Sequence, residues 1–263
     1  MLFQLPTLPV HHHMRTLYIL YKKELKHFLM TPFGWIVLAF IMLLQGLSLS
    51  SVLEQYEKAP VQASMLHSCL STPLFWVYFI FIFPLITMKQ FAEEERSGTL
   101  ESLMTAPVTT WQVVFSKYLS SYTFYAVLWI PVFLHIQIFS IITGSPAPVT
   151  PSEMYGSFGI LLLIGSFFVA VGILASALTS SQIVAAIMTF GALVFVVFLG
   201  FVPMIVGDTF QGAPIFHYIS VHEHLSYFSR GLIDIRPIVL YFSLSFFTLI
   251  LTHHLVDYRR WKH

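Results

Sequence analysis

Long apolar stretches alternate with short polar ones along the chain. The stretches at residues 33–52 and 118–142 carry no charged residue, and neither does the longer stretch from 154 to 207. A helix of about 20 apolar residues crosses a bilayer core of about 30 Å. The polar turn at residues 179–182 divides the longest stretch into two spans. The pattern therefore predicts six transmembrane helices, at about residues 33–52, 73–91, 118–142, 156–178, 183–205 and 237–256.

The segment ahead of the first span is amphipathic. In residues 14–30 the apolar side chains recur at helical spacing, while Lys22, Lys23 and Lys26 fall largely on the other face. A basic amphipathic helix beside a span is typical of a helix that lies in the membrane interface. An ordinary solvated helix is the alternative. We expect a flexible extension at residues 1–13 and one transmembrane domain over residues 14–263.

The most polar stretch, residues 89–117, lies between the second and third spans and includes three consecutive glutamates followed by Arg96. Each of these charges would cost roughly 2.5–3.5 kcal/mol at the bilayer centre, so the stretch must lie outside the membrane. Residues 99–105 form a short amphipathic piece, which Pro107 ends because proline cannot continue a helix. Thr109 and Gln112 then form a capping-box pair that begins the next helix. We interpret the short piece as a docking helix whose apolar side chains are Leu100, Leu103 and Met104.

Composition agrees with a membrane protein. Hydrophobic residues make up 57% of the chain and charged residues 10%, whereas soluble domains carry about 25% charged residues. We therefore predict an all-α membrane protein. The net charge of +1 gives no reason to expect a nucleic-acid partner, and the single cysteine, Cys69, excludes an internal disulfide.

Basic residues indicate the orientation. Six spans place both termini on one side, and ten of the thirteen lysines and arginines fall on that side together with the stretch 89–117. Only Lys58, Arg230 and Arg236 fall opposite. Because cytoplasmic loops carry the excess of positive charge, we expect both termini and the docking helix in the cytoplasm.

No residue pattern predicts catalysis in this chain. The GxxxxGK[ST] loop that holds nucleotide phosphates does not occur in the sequence. An intramembrane serine protease, with Ser157 or Ser166 as nucleophile and His253 or His254 as base, is a further alternative, but the serines lack the GxSG-type setting. An energy source would therefore come from another subunit, and no cofactor is expected in this chain.

A few polar or small residues could serve other roles. His222, Glu223 and His224 could present two imidazoles and a carboxylate to a metal, although a polar helix face at the membrane surface is the simpler interpretation. Polar groups inside a membrane span are often functional, so His135 and Gln137 are candidate pathway or packing residues. The small pair Gly172 and Ser176 permits close contact between helices.

The stretch from Phe91 to Leu119 resembles the segment between helices two and three of type-2 ABC transporter permeases. The family's pattern has E-E-[KR], then G-T-[LI]-E-x-L, then a proline and K-[YF]. Its residues here are Glu94, Glu95, Arg96, Gly98, Thr99, Leu100, Glu101, Leu103, Pro107, Lys117 and Tyr118, with one residue, Ser97, between Arg96 and Gly98. Residues 21–35 are similar to the family's N-terminal interfacial helix. The segment FPLITMKQFAEE and the last loop and helix resemble the subgroup associated with gliding motility and multi-copper enzyme maturation.

The resemblance implies a dimer of permeases bound to two cytoplasmic ABC ATPase subunits, which use ATP and Mg. It implies that residues 99–105 form the coupling helix, that the protein lies in a bacterial inner membrane, and that transport is export. Apart from Lys89, near the end of the second span, no charged residue lies within a predicted span, which favours a lipid-linked, hydrophobic or polymeric cargo. The competing interpretation is a membrane anchor that docks a cytoplasmic partner without moving a solute.

Overall fold

The computed structural model describes residues 10–58, 64–99, 108–144, 149–207 and 212–262. Helices account for nearly all of these residues, and no strand occurs in the described ranges. The helices are α1 (Val10–Met30), α2 (Pro32–Lys58), α3 (Met65–Ser71), α4 (Pro73–Thr87), α5 (Ala92–Arg96), α6 (Thr110–Val127), α7 (Ile130–Thr143), α8 (Pro151–Leu178), α9 (Gln182–Leu199), α10 (Val202–Val206), α11 (Ala213–Ile219), α12 (Val221–Ser229) and α13 (Ile235–Lys262).

Six helical segments are long and apolar enough to cross a membrane, which confirms the predicted number of spans. They are Pro32–Lys58, Pro73–Arg96, Thr110–Thr143, Pro151–Leu178, Gln182–Leu199 and Ile235–Arg259. The turn predicted at residues 179–182 separates α8 from α9, and Ser181 caps α9 by accepting a hydrogen bond from the N–H of Val184. The all-α membrane fold is therefore confirmed for the described residues.

Several boundaries differ from the prediction. Helix α1 begins at Val10, inside the extension predicted to be flexible. The segment between the first two predicted spans is partly helical, because α2 continues to Lys58 and α3 follows at Met65. Three short helices, α10, α11 and α12, lie between the last two spans, and α11 and α12 meet at Ser220.

The third span is broken, whereas the sequence predicted one continuous helix over residues 118–142. It begins earlier, at Thr110, where the predicted capping box of Thr109 and Gln112 is confirmed. It then breaks at Leu128 and Trp129 because Pro131 has no N–H to donate within the helix. The N–H of Val132 bonds to the Trp129 carbonyl at 3.2 Å, whereas in a continuous helix it would bond to the carbonyl of Leu128. The Leu128 carbonyl instead accepts a hydrogen bond of 3.0 Å from the Gln45 side-chain amide of α2.

Helix α8 is the most buried of the six candidate spans. It packs against α4, α6, α9, α12 and α13, so it forms the centre of the bundle. Gly172 of α8 faces Thr87 of α4, and a Cβ atom at Gly172 would lie 2.2 Å from Thr87 Oγ1. The small pair Gly172 and Ser176 therefore packs within the subunit, against the second span and the segment that follows it.

We use two names for the ends of the bundle. The coupling end carries α1, α5 and the last turns of α13, which hydrogen bonds and ion pairs join. The far end is the opposite end, where α8 begins. It carries α3, α11 and α12, and Phe228 of α12 lies there against Gly156 of α8.

The close approach at Gly172 predicts a strong effect of adding one methyl group. Thr87 is fully buried and cannot move away, so Gly172→Ala should destabilise the protein by about 1–3 kcal/mol. Gly159→Ala, in the same helix, is the matched control, since nothing lies within 4 Å of its added Cβ and alanine favours a helix over glycine. Thermal unfolding in one detergent measures both variants. Equal midpoints for the two would contradict the packing described here.

Candidate coupling site

A buried lysine lies at the centre of the coupling end. Lys117 of α6 has a side chain only 2% exposed, and its Nζ lies 2.9 Å from Glu94 Oε1 and 3.4 Å from Glu24 Oε1. Its Nζ also lies 5.3 Å from the centre of the Phe91 ring. A buried ammonium is tolerated only where opposite charges offset its lost hydration. The two carboxylates meet this need and join α1, α5 and α6 at one point.

The predicted interfacial lysines have unequal roles. Lys23 lies 3.9 Å from Glu94 Oε1 and 3.6 Å from Glu24 Oε1, but its side chain is 63% exposed. Such an exposed ion pair contributes little to stability. Lys22 and Lys26 are exposed as well. Lys117, rather than the lysines of α1, is therefore the cation that joins these helices.

The next glutamate connects α5 to the last helix. Glu95 Oε2 accepts from Arg259 Nη1 of α13 at 2.8 Å. Two residues earlier in α13, Asp257 Oδ1 accepts a hydrogen bond of 2.9 Å from the Thr110 hydroxyl. Helix α13 is thus held both to α5 and to the first residue of α6.

Ser176 fixes the turn that precedes α5. Its hydroxyl oxygen accepts from the N–H groups of Phe91 and Ala92, at 3.0 and 3.1 Å, and its O–H donates to the Met88 carbonyl at 3.2 Å. The first N–H groups of a helix have no partner within the helix. A single hydroxyl of the central helix therefore satisfies the backbone where α4 gives way to α5.

The turn after α5 leads toward the predicted docking helix. Gly98 has a φ of +70°, a left-handed conformation that glycine adopts without strain, while Arg96 and Thr99 are exposed. The Ser97 and Thr99 hydroxyls lie 2.9 Å apart. The remaining predicted coupling residues lie outside the described residues: Leu100, Glu101, Leu103, Met104 and Pro107.

An open groove of about 430 Å³ lies between α1 and the α4–α5 segment. Lys26, His27 and Glu93 line it, and so does Lys89, whose Nζ lies 4.1 Å above the Phe33 ring. The groove therefore carries charged groups of both signs at the coupling end.

The predicted far-end histidines do not form one site. His222 lies between the rings of Trp76 and Phe201, with centroids 5.8 and 5.5 Å away. Glu223 pairs with His217, and His224 Nδ1 lies 3.0 Å from the Tyr241 hydroxyl. Burial lowers the pKa of both His222 and His224, which favours their neutral forms. The three side chains have different partners and do not converge on a metal.

The remaining predicted residues are also placed. His135 of α7 borders a small cavity, while Gln137 is exposed. The protease arrangement has no support in the observed contacts, since Ser166 bonds to Leu163 and Ser245 and His253 stacks on Trp111, with centroids 4.3 Å apart.

Sequence reasoning did not single out Glu24, Asp257 or Arg259. One signal was available for Glu24, because it is the only acidic residue ahead of Glu54 and lies within a basic segment. The contacts of Asp257 and Arg259 depend on helix ends that are remote in sequence.

Loss of the Lys117 charge should weaken the coupling end strongly. Lys117→Met keeps most of the side-chain volume but leaves Glu94 without its buried counterion, which should destabilise the protein by about 3–5 kcal/mol. Lys22→Met, at an exposed position of α1, should leave the unfolding midpoint nearly unchanged. Adding Glu94→Gln to Lys117→Met should recover part of the loss. Equal midpoints for Lys117→Met and Lys22→Met would show that the buried pair does not stabilise the fold.

Comparison with known protein families agrees with this architecture. The family described as ABC-2 family transporter protein matches residues 18–252. No match was found among the curated proteins. The matched range runs from α1 into α13 and includes Glu24, Glu94 and Lys117, whereas the gliding-motility and copper-enzyme subgroup stays a prediction. The chain is an integral membrane protein that belongs to the ABC-2 transporter family, as the permease subunit of an ABC transporter.

Proposed function

We propose that this permease is an exporter subunit that converts ATP hydrolysis in a separate cytoplasmic ATPase into movement of its own spans. The observation that carries the proposal is the ion pair of Lys117 with Glu94 and Glu24. It joins the segment next to the predicted coupling helix to the third span and to the interfacial helix. A force on that segment would therefore act on several helices at once.

The proposed path of the force starts at residues 99–105. ATP binding closes two ATPase subunits around each other and pushes this short helix. Helix α5, immediately before it, is connected to α6 through Lys117, to α13 through Arg259, and to α8 through Ser176. These connections join spans two, three, four and six at the coupling end.

The partner ATPase supplies the nucleotide chemistry. The sequence of this chain has no GxxxxGK[ST] loop, so ATP and Mg would be bound by the partner. We propose that Leu100, Leu103 and Met104 insert into an apolar cleft of that subunit, with Glu101 and Arg96 at its polar edge. This role rests on the amphipathic pattern of residues 99–105 and on the family resemblance.

A second permease would complete the pathway. Large apolar side chains of α7 and α9 are exposed in the single chain, among them Ile141 (78%), Ile183 (73%) and Phe195 (64%). Lipid and a second permease together would cover such surfaces, and the pathway would form between the two chains. We place the complex in a bacterial inner membrane with the coupling end and both termini in the cytoplasm, as the distribution of basic residues indicates.

The anchor interpretation makes a different prediction. An anchor binds a cytoplasmic partner without changing its turnover. A transporter alters the rate of ATP hydrolysis, because substrate movement and nucleotide turnover share one conformational cycle. The ATPase rate of the partner, with and without this chain, separates the two functions.

The first experiment is purification of the complex in mild detergent from native cells, followed by an ATPase assay in lipid. Wild-type permease should bring a stoichiometric ATPase and change its turnover. Leu103→Asp should remove both effects while the permease still inserts, because a carboxylate cannot enter an apolar cleft without a partner. Leu232→Asp, at a residue that is 58% exposed at the far end, is the matched control and should behave as wild type.

An ATPase that binds but whose turnover is the same with and without the permease would favour the anchor. Normal coupling by Leu103→Asp would refute the role of the docking helix. A permease that purifies without any nucleotide-hydrolysing subunit would refute the proposed partnership.

A further inference from the structure

A small cavity lies inside the bundle, in the half toward the far end. It lies between α2, α3, α8 and the break in the third span, and its volume is about 40 Å³. Apolar side chains such as Met65, Leu161 and Phe158 form most of its wall. No aspartate, glutamate, lysine or arginine lines it among the described residues. We call this cavity the far pocket.

Three buried polar side chains border the far pocket with a hydrogen-bonding atom unused. They are Gln45 (5% exposed), Trp129 (2%) and Ser157 (0%). By distance and angle, the Gln45 Oε1, Trp129 Nε1 and Ser157 Oγ atoms complete no hydrogen bond among the described residues, although the Trp129 ring lies beside the Tyr125 side chain. Buried polar atoms are nearly always satisfied in folded proteins, by protein groups or by ordered water. Three such atoms around one cavity point to a missing hydrogen-bonding occupant.

The chemistry of the three atoms restricts the occupant. Gln45 Oε1 only accepts, Trp129 Nε1 only donates, and the Ser157 hydroxyl does both. A molecule that serves all three must donate and accept. The absence of charged side chains from the described wall excludes a permanent ion, which would lack a counter-charge there.

The volume identifies the occupant as water. One water molecule needs about 10–15 Å³ of probe volume, so about 40 Å³ holds about three. A lipid chain or a transported solute is too large for this space. We propose that the far pocket is a buried hydration site, in which about three water molecules hydrogen-bond to Gln45, Trp129 and Ser157.

The site lies where the third span needs hydrogen-bonding groups. Pro131 interrupts the helix, and the amide of Gln45 already binds the freed Leu128 carbonyl. Broken helices in membranes persist only where the freed groups face protein or water. The water cluster completes the bonding of Gln45 and of Trp129, which are the two side chains beside the break.

Two buried serines can test whether the far pocket holds water, because the expected change in the unfolding midpoint has a different sign for each. Ser157 and Ser121 are both fully buried and both have an unpartnered hydroxyl, but only Ser157 borders the far pocket. If water fills the pocket, Ser157→Ala removes a hydrogen bond and should lower the unfolding midpoint by about 2–4 °C. Ser121→Ala removes an unpaired group and should leave the midpoint unchanged or raise it. A rise for both variants would show a dry pocket and overturn the proposal.

X-ray radiolytic footprinting provides a second measurement on the wild-type protein in lipid nanodiscs. Hydroxyl radicals formed from bound water oxidise the side chains next to it. Met65 and Trp129 line the pocket and are each 2% exposed, and Tyr241 is equally buried but does not line it. The oxidation rate of each side chain is divided by its rate in the unfolded protein. After this normalisation, Met65 and Trp129 should be oxidised several-fold faster than Tyr241.

Filling the pocket should remove this difference. Ser157→Val and Ser157→Leu place apolar atoms in the space that the water would occupy, so oxidation of Met65 and Trp129 should fall to the normalised rate of Tyr241. Normalised rates that already match Tyr241 in the wild type would overturn the proposal. So would rates that stay high in a folded Ser157→Val protein.

Discussion

The coupling end depends on a buried ammonium held by two carboxylates. The Lys117 side chain is only 2% exposed and lies beside Glu94 and Glu24, whose opposite charges offset the hydration that a buried ammonium loses. These ion pairs fix the position of α5 and α1 relative to α6. The family motif supplies Glu94 and Lys117 on either side of the predicted docking helix, and the two residues form an ion pair.

Close packing around α8 adds to the ion pairs that hold the coupling end together. Ser176 binds the backbone of the turn before α5, and Gly172, one turn earlier, brings α8 against α4 without an intervening side chain. Between helices in a membrane, close van der Waals contact and hydrogen bonds stabilise association, since lipid removes most of the hydrophobic difference. The small residues of α8 make the central helix a rigid neighbour for the second span. The pair suggested by the sequence is therefore a packing contact within one subunit.

The third span shows how a membrane helix tolerates a break. Its first half, α6, is largely buried, whereas its second half, α7, is mostly exposed. Gln45 satisfies the freed Leu128 carbonyl, and the proposed waters would satisfy what remains. The break allows the two halves to follow different neighbours, so the first half packs inside the bundle while the far half keeps exposed apolar side chains such as Ile141.

Local patterns determined the spans and their ends. Hydropathy alone located six spans because the bilayer imposes one length and one composition on each, and proline and capping residues marked several boundaries, such as Thr109 and Gln112. The sequence also singled out the polar stretch after the second span. It could not reveal that Lys117 meets Glu24, 93 residues away, or that Ser176 binds Phe91, 85 residues away. Such contacts depend on which helix faces pack together, and that is decided by the shapes of many side chains at once. The far pocket has the same origin, because a cavity belongs to no single segment of the chain.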